Sequence, residues 1–393
     1  MTPAARVQAA IELLDRILAG APAEAELTRW ARASRYAGSK DRRAVRDHVF
    51  DALRCRRSFA ALGGAETGRG IMLGAIRANG IVPEDVFTGL GHAPAPLESS
   101  ERAAPALRMD DLPHDLPDWL VMEFRASLED EALAAMLALR ARAPVMLRVN
   151  EQLKSSAQAI EILREDGIEA ERALIAPTAL SVHSGAARIA GSRAYAQGIV
   201  ELQDGSSQAA MRELVDLFQA NGKAPNVLDY CAGGGGKVLA LAAQAQGRWF
   251  AHDADAGRMG DLPERAARAG AIIDVLPPGD AAHAAPYDLV LCDVPCSGSG
   301  TWRRTPDAKW KLTPERLSEL VELQSKILGE AAGLLHPGGW LAYTTCSVLA
   351  QENDGQISRF LSKTPEWREV HRRHWPIGPE GDGFFLSCLA RSG

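Results

Sequence analysis

Val7, Ile11, Leu14 and Leu18 recur on one face of a 3.6-residue period, with Thr2 and Pro3 as a cap and first helical position and Gly20 as a stop. The same period continues through Trp30, Val45, Val49 and Leu53. With Gly63-Gly64 and Gly74 as punctuation and no alternating stretch, residues 1 to about 90 predict a small all-helical domain. Residues 91–107, rich in Pro, Ala and Ser without periodicity, predict a linker. From Leu116 the pattern returns. Pro117 opens a helix through Trp119, Leu120, Met122 and Phe124, a second helix covers Asp130 to Arg142, a strand covers Val145 to Val149, and a helix covers Ser155 to Asp166. β-like pieces follow near Leu180 to His183, Ala187 to Ile189 and Ile199 to Leu202, so residues 108–203 predict a mixed α+β module.

Gln203-Asp204-Gly205-Ser206-Ser207 opens a helix, and beyond it the pattern becomes strict alternation. Strands at Val227 to Tyr230, Trp249 to His252, Tyr287 to Cys292 and Trp340 to Thr344 are separated by helices at Gly236 to Ala245, Arg258 to Ala269 and Pro314 to Leu335. Such alternation predicts a doubly wound α/β domain over residues 204–393, a parallel sheet with helices on both faces. Sheets of this kind bind ligands in the crevice outside the carboxyl ends of their strands. There this chain carries its unusual residues: Asp229 and a glycine run after the first strand, Asp253 and Asp255 after the second, Asp293 to Cys296 after the third, and Cys346 after the fourth.

Composition changes this picture in two places. An apolar content of 46% over 393 residues suffices for two or three ordinary cores. Met1 to Gly20 lacks the basic start and continuous apolar centre of a signal peptide, and no run of about 18 apolar residues occurs, which places the expected protein in the cytoplasm, off the membrane. Six cysteines in so long a chain form no disulfide framework, and without a Cys-x-x-Cys or a nearby His pair they form no metal site. Their thiols are available for chemistry. A net charge of −6 and a pI near 5.9 run against a nucleic-acid binder, yet the cations are clustered. Lys40, Arg42, Arg43, Arg46, Arg54, Arg56 and Arg57 form one group, for which a solvated helix face is the competing explanation. Arg303, Arg304, Lys309 and Lys311 form a second beside the crevice.

Gly233-Gly234-Gly235-Gly236-Lys237 follows a strand and opens a helix, so backbone can approach a ligand closely at a helix N-terminus. Val238 stands where a phosphate loop carries its magnesium-binding hydroxyl, and the glycines make no clean dinucleotide fingerprint, although Asp253 lies about where a ribose-binding carboxylate belongs. A nucleoside cofactor without a pyrophosphate fits, S-adenosylmethionine being the common one, with Asp253 on the ribose and the Asp280 region on the adenine. Cys55, Cys292 and Cys388 read as small buried hydrophobes. Cys296 and Cys346 do not, because each lies in a loop of small polar residues, where a thiolate near cations gains nucleophilicity. A methyl donor with a thiol nucleophile suggests methylation of an unreactive carbon: addition to carbon 6 of a pyrimidine makes carbon 5 enamine-like, and a second thiol helps the adduct collapse. Asp293-Val294-Pro295-Cys296, unlike Asn-Pro-Pro-Tyr, argues against exocyclic amine methylation.

Leu228-Asp229-Tyr230-Cys231-Ala232 with Gly235-Gly236-Lys237, the run Asp293 to Thr301, Pro306-Asp307-Ala308-Lys309-Trp310, Thr345-Cys346-Ser347-Val348 with Glu352-Asn353, and Gly381 to Phe385 together resemble the Sun-type RNA (cytosine-5) methyltransferases, particularly their RsmB-like bacterial branch acting on small-subunit ribosomal RNA. Val200 to Ser207 resembles that family's Gln-Asp lead-in, and the N-terminal helices, with Arg35-Tyr36-Ala37-Gly38 and Asp41-Arg42, resemble a NusB-type RNA-binding domain. The resemblance implies a Rossmann-like class I methyltransferase domain using S-adenosylmethionine, with Cys346 as nucleophile, Cys296 as the release thiol and Asp293 bonded to the target cytosine. It implies a cofactor site of Asp229, Cys231, Ala232, Gly233, Gly234, Gly235, Gly236, Lys237, Asp253, Asp255, Arg258, Asp280 and Asp293. RNA is the expected partner, through Arg42, Arg43, Arg46, Arg303, Arg304 and Lys309, with no metal and a monomeric state. Transfer RNA is an alternative substrate. A non-catalytic RNA-binding or ribosome assembly factor is a further alternative, because Gly233 to Val238 stands where the family has Ala-Pro-Gly-Gly-Lys-Thr. Proline fixes φ and glycine does not, so this loop is expected to be freer and to bind cofactor more weakly.

Overall fold

The computed structural model of the chain describes residues 1–103, 114–218 and 224–391. The end of the expected linker, 104–107, and the expected boundary at 107/108 lie outside the described residues. The chain divides into two units, the first being Met1–Arg142 with Trp302–Lys311 and the second everything else.

Thr2 Oγ1 accepts the Ala5 amide at 3.2 Å and starts α1 (Pro3–Leu18). There follow α2 (Ala23–Ala33), α3 (Ser39–Arg54), α4 (Arg56–Gly63), α5 (Gly68–Ala78), the single turn α6 (Ser99–Arg102), α7 (Asp118–Leu128) and α8 (Ala132–Ala138). Val7, Ile11 and Leu14 pack with Val45, Val49, Leu53 and Ile71 in one buried cluster, so the periodic positions of α1 and α3 form the core of the first unit. Gly74 does not punctuate a helix. It lies inside α5, and a Cβ there would stand 1.8 Å from the Phe59 carbonyl oxygen, so the residue is glycine to let α4 and α5 approach. Helices α7 and α8 fall within this first unit, whose division from the second lies at Arg142/Ala143. Phe124, fully buried on α7, stacks on Trp302 with ring centroids 5.9 Å apart.

The second unit opens with β1 (Val145–Val149), α9 (Ser156–Glu165), β2 (Glu169–Arg172), β3 (Ala179–Ser184), α10 (Arg193–Ala196) and β4 (Val200–Leu202). The strands form an antiparallel sheet in the order β2-β3-β1-β4, closed over Leu147, Val149, Leu163, Leu180 and Val200. Two readings change here. Ala186–Gly191 is a 3₁₀ helix rather than a strand, and β2, Glu-Ala-Glu-Arg, is a strand that carries no apolar alternation because it is mostly exposed.

Beyond α11 (Gly205–Phe218) come β5 (Asn226–Asp229), α12 (Gly236–Ala242), β6 (Arg248–Ala251), α13 (Leu262–Ala269), β7 (Ile273–Val275), β8 (Tyr287–Asp293), α14 (Ala308–Lys311), α15 (Pro314–Ala332), β9 (Leu335–Thr345), α16 (Asp354–Lys363), β10 (Trp367–Trp375) and β11 (Phe384–Arg391). The sheet order is β10-β11-β9-β8-β5-β6-β7. Strands β5 to β9 are parallel, while β11 runs antiparallel to β9 and β10 antiparallel to β11. The parallel strands are covered on both faces, so Val227, Leu228, Leu289, Val290, Leu291, Leu341 and Ala342 are all buried. Strand order reverses between β5 and β8, and the carboxyl ends of strands at such a switch point are where sheets of this kind bind ligands. Between β8 and α15 the chain leaves this unit for Trp302–Lys311. Among the described residues no helix is long and apolar enough to cross a membrane.

Candidate active site

Each parallel strand delivers its last residue to the same end of the sheet. Asp229 closes β5 with 1% of its surface exposed. Its Oδ2 accepts the Val238 amide at 3.2 Å in the first turn of α12, while its Oδ1 is buried without any partner. Burial, reinforced by the Asp293 charge, pushes the Asp229 carboxyl up to about 7. Asp253, just past β6, is also buried. Its Oδ2 accepts from the Gly233 amide at 2.9 Å and from Arg258 Nη1 at 3.0 Å, and its Oδ1 accepts the Asp255 amide at 3.0 Å. Asp255 itself is exposed and caps the turn that follows, accepting the Gly257 amide at 2.9 Å.

Asp280 lies on an exposed loop after β7, moored beside this end of the sheet. The neighbouring Gly279 amide donates to His252 Nε2 at 3.2 Å, so the neutral ring carries its proton on Nδ1, which donates to the Tyr230 carbonyl at 2.9 Å. Ala232 ties the glycine turn to β6, its amide donating to the His252 carbonyl and its carbonyl accepting the Gly235 amide. Gly233 and Gly235 have φ of +50° and +77°, the left-handed region that a residue with a Cβ enters only under strain. Cys231 is half-buried, and burial raises its thiol far above the ordinary range, so it forms a neutral wall.

Lys237, one residue into α12, turns toward the end of β8, where its Nζ lies 2.5 Å from Asp293 Oδ2. Asp293 Oδ1 accepts the Thr344 hydroxyl at 3.1 Å. Burial works against the Lys237 ammonium, but the Asp293 carboxylate outweighs it and the pKa rises. Beside this pair stand the two thiols, Cys296 Sγ and Cys346 Sγ, 3.4 Å apart. Cys346 is lowered because Cys296 donates its S–H to it, with Lys237 and Thr301 helping. Cys296 is raised for the same reason and by burial. Of the two thiols, Cys346 is thus the more readily deprotonated.

Glu352, fully buried, holds both cysteine loops. It accepts the Ser297 amide at 2.8 Å and hydroxyl at 2.5 Å from one loop and the Ser347 hydroxyl at 2.6 Å from the other. Gln324 of α15 donates to Glu352 at 2.9 Å and to the Pro295 carbonyl at 3.0 Å. Sequence reasoning noted Glu352 only as part of a motif and passed over Gln324. A buried acid six residues after a loop cysteine was the available signal for the first, and nothing local marks the second.

The cationic residues part company. Arg42 and Arg43 are exposed on α3, while Arg46 is engaged by both carboxylate oxygens of Glu24, at 2.7 and 2.5 Å, and lies over the Phe50 ring. Arg304 is exposed. Arg303 and Lys309 are corrections: they are 3% and 1% exposed, so neither presents a charged surface at the crevice. Lys309 Nζ donates to the Arg54 carbonyl at 2.8 Å and burial lowers its pKa to about 8, while the Arg303 carbonyl accepts from Arg54 Nε at 2.8 Å. The segment belongs to the helical unit, where Trp302 is fully buried with these two residues. Cys292 and Cys388 are buried and Cys55 is half-buried. Among the described residues no cluster of His, Cys, Asp and Glu is arranged to hold a metal.

Residues 217–390 match the family described as 16S rRNA methyltransferase RsmB/F, and residues 116–187 match the ferredoxin-like domain of RsmF/B-like methyltransferases. A ribosomal RNA small subunit methyltransferase B of Klebsiella pneumoniae (strain 342) is 33% identical over 316 residues, which cover 75% of this chain and 71% of the relative. The chain belongs to the ribosomal RNA small subunit methyltransferase B family. A second member, from Xanthomonas campestris pv. campestris, is 33% identical over 296 residues, covering 70% of this chain and 66% of that one, so the alignments to these relatives take in about two thirds of their length. The family's fold extends to solved structures. The crystal structure of PH0851 superposes with a TM-score of 0.72 over 99% of both chains at 24% identity. That of NSun6 from Pyrococcus horikoshii with SFG gives 0.61 over 70% of this chain and 98% of its own at 16% identity. The large sheet is thus of the Rossmann-like fold that these structures share.

The residues present fit an adenosyl cofactor. Asp229 offers a buried, unpartnered acceptor oxygen at the start of α12, suited to an ammonium or hydroxyl donor, and the left-handed glycines bare the adjoining backbone.

Proposed function

We propose that the protein is an S-adenosylmethionine-dependent methyltransferase acting on carbon 5 of a cytosine in RNA, specifically small-subunit ribosomal RNA, through a covalent cysteine adduct. The observation that carries this reading is the pair of thiols 3.4 Å apart with opposite shifts, beside the Lys237–Asp293 ion pair. Cys346, as thiolate, adds to carbon 6 of the ring and moves electron density to carbon 5. Asp293 accepts a hydrogen bond from the amine edge of the cytosine and holds the ring over the thiolate, while Lys237 keeps that carboxylate aimed. S-adenosylmethionine, when bound, supplies an electrophilic methyl group to carbon 5.

Once Cys346 is bonded to carbon 6, no thiolate remains to accept from Cys296, and the hydrogen bond that raises its pKa is gone. Cys296 then releases its proton to solvent and takes the one on carbon 5. The electron pair of that C–H bond restores the double bond to carbon 6, and Cys346 departs as thiolate. Asp229 and Asp253, with the glycine turn between them, hold the cofactor. Arg42 and Arg43 on the helical unit meet RNA phosphates, with Arg46 half neutralised by Glu24. The protein acts as a monomer in the cytoplasm.

Incubation with labelled cofactor and small-subunit ribosomal RNA should yield 5-methylcytosine, and Cys346→Ala should abolish it. A Cys346→Ala protein with full turnover overturns the mechanism, and label entering only transfer RNA overturns the substrate. Cys296→Ala should retain attack and methyl transfer but accumulate a protein–RNA adduct stable to denaturing electrophoresis.

A further inference from the structure

The glycine loop lacks the proline expected to stiffen it, yet side chains from three other elements fasten its backbone. Arg265 of α13 donates from Nη1 to the Gly234 carbonyl. Arg148 of β1 donates from Nη1 to the Gly236 carbonyl at 2.9 Å, and Gln203 Nε2 reaches the same oxygen at 3.3 Å. With the Asp253 bond to the Gly233 amide, three of the loop's four glycines have a main-chain atom held from outside. Behind these bonds stands Glu201 of β4, only 3% exposed. It accepts from Arg265 Nη2 at 3.0 Å and from Arg268, and it lies opposite Arg148 in the β1–β4 register. Arg148 is itself 2% exposed and holds Gln203 Oε1 at 2.5 Å.

Burying Arg148 and half-burying Arg265 and Arg268 around one buried carboxylate is a costly way to pack a helix on a sheet, since apolar side chains of similar volume fill such space at lower desolvation cost. What guanidinium groups do and apolar groups do not is bind carbonyls directionally. Here the carbonyls they bind are those of the cofactor loop.

We propose that Arg265, Arg148 and Glu201 are positioning residues that hold the Gly233–Gly236 loop in its cofactor-binding conformation, supplying from outside the chain segment the rigidity that proline supplies from within it. The small antiparallel sheet, which provides two of the three, is then a structural part of the cofactor site. The proposal rests on the cofactor reading above. It replaces the expectation of a free loop: ordering is completed before the ligand arrives, so its entropy is not subtracted from affinity.

The test is calorimetric titration of the full-length protein with S-adenosylhomocysteine, the demethylated product, in the absence of RNA. Arg265→Ala removes a charge-assisted bond to the loop and should weaken binding about tenfold. In turnover it should raise the KM for S-adenosylmethionine while kcat at saturating cofactor and RNA affinity stay as in wild type, and Arg265→Lys should recover part of the loss. Arg268→Ala removes a cation from the same carboxylate without touching a loop carbonyl and should leave affinity within about twofold of wild type. Equal losses in Arg265→Ala and Arg268→Ala, or wild-type affinity in Arg265→Ala, overturn the proposal while leaving the cofactor reading intact. If Arg265→Ala does not fold, Arg265→Met preserves the side-chain length without the donor and is judged by the same criterion. Failure of the wild-type protein to bind the nucleoside overturns both.

Discussion

At the scale of single residues, proton placement decides the chemistry. Cys346 owes its lowered pKa first to the S–H of Cys296, so deleting that donor should move Cys346 back toward an ordinary thiol. The rate of Cys346 alkylation by iodoacetamide, followed against pH in wild type and Cys296→Ala, should show its midpoint displaced to higher pH in the variant. An unchanged midpoint removes the donor role. Asp229 makes a second prediction with the opposite sense. Its folded pKa of about 7 lies above that of an unfolded aspartate, so the protonated form is favoured by folding and stability is lost as pH rises toward and through 7. Asp229→Asn keeps the shape without the buried charge, and without cofactor it should melt at higher temperature than wild type at pH 8, with no such gain at pH 4. The recovered free energy is on the order of a few kcal/mol, each worth about 2–4 °C in a unit of this size. The same variant should lose cofactor affinity, because the orphaned oxygen is the one a donor on the ligand would meet.

At the scale of elements, the sheet presents its strand ends and buried acids fix what hangs from them. Glu352 joins the loop after β8 to the loop after β9, so neither cysteine is held by its own strand alone. Glu352→Ala removes the acceptor that the Ser297 and Ser347 hydroxyls and Gln324 share, at a cost of about 1–3 kcal/mol, and leaves the two loops joined only by the weaker contacts between their serines. Methylation kinetics should show kcat reduced at least about tenfold, with the affinity for S-adenosylhomocysteine unchanged, since the clamp lies on the thiol side of the site. Glu352→Gln, which retains one acceptor oxygen, should recover part of the rate. Full activity in Glu352→Ala would show that the two loops hold themselves. Elements whose pattern is carried by burial were readable before the structure: β5, β6, β8 and β9 are apolar because both faces are covered. Edge elements were not. Strand β10 reads Arg-Glu-Val-His-Arg-Arg-His in its middle because it closes the sheet against solvent, and β7 has three residues, too few to carry a period.

At the scale of the whole molecule, a chain with a net charge of −6 must meet a polyanion through a local surface. Arg42→Ala and Arg43→Ala should each weaken RNA binding across sequences and reduce the slope of log affinity against log salt by about 1. Lys309→Met should leave that slope untouched, because the ammonium is buried against the Arg54 carbonyl. A loss of slope in Lys309→Met would return this residue to the RNA surface. Contiguous residues alone determined the alternation of helices and strands from Asn226 to Thr344 apart from the short β7 and α14, the two cysteine loops and the acids at strand ends, since period, turn chemistry and strand termination are written within a dozen residues. Tertiary structure alone decided that Arg303 and Lys309 turn inward, that the two thiols stand 3.4 Å apart, and that Arg148, Glu201 and Arg265 surround the glycine loop. Those outcomes depend on partners 249 residues apart for Arg54 and Arg303, 50 for the thiols and 64 for Glu201 and Arg265. A side chain's charge is written in the sequence, but whether it faces water, a carbonyl or another charge is settled only when distant segments meet.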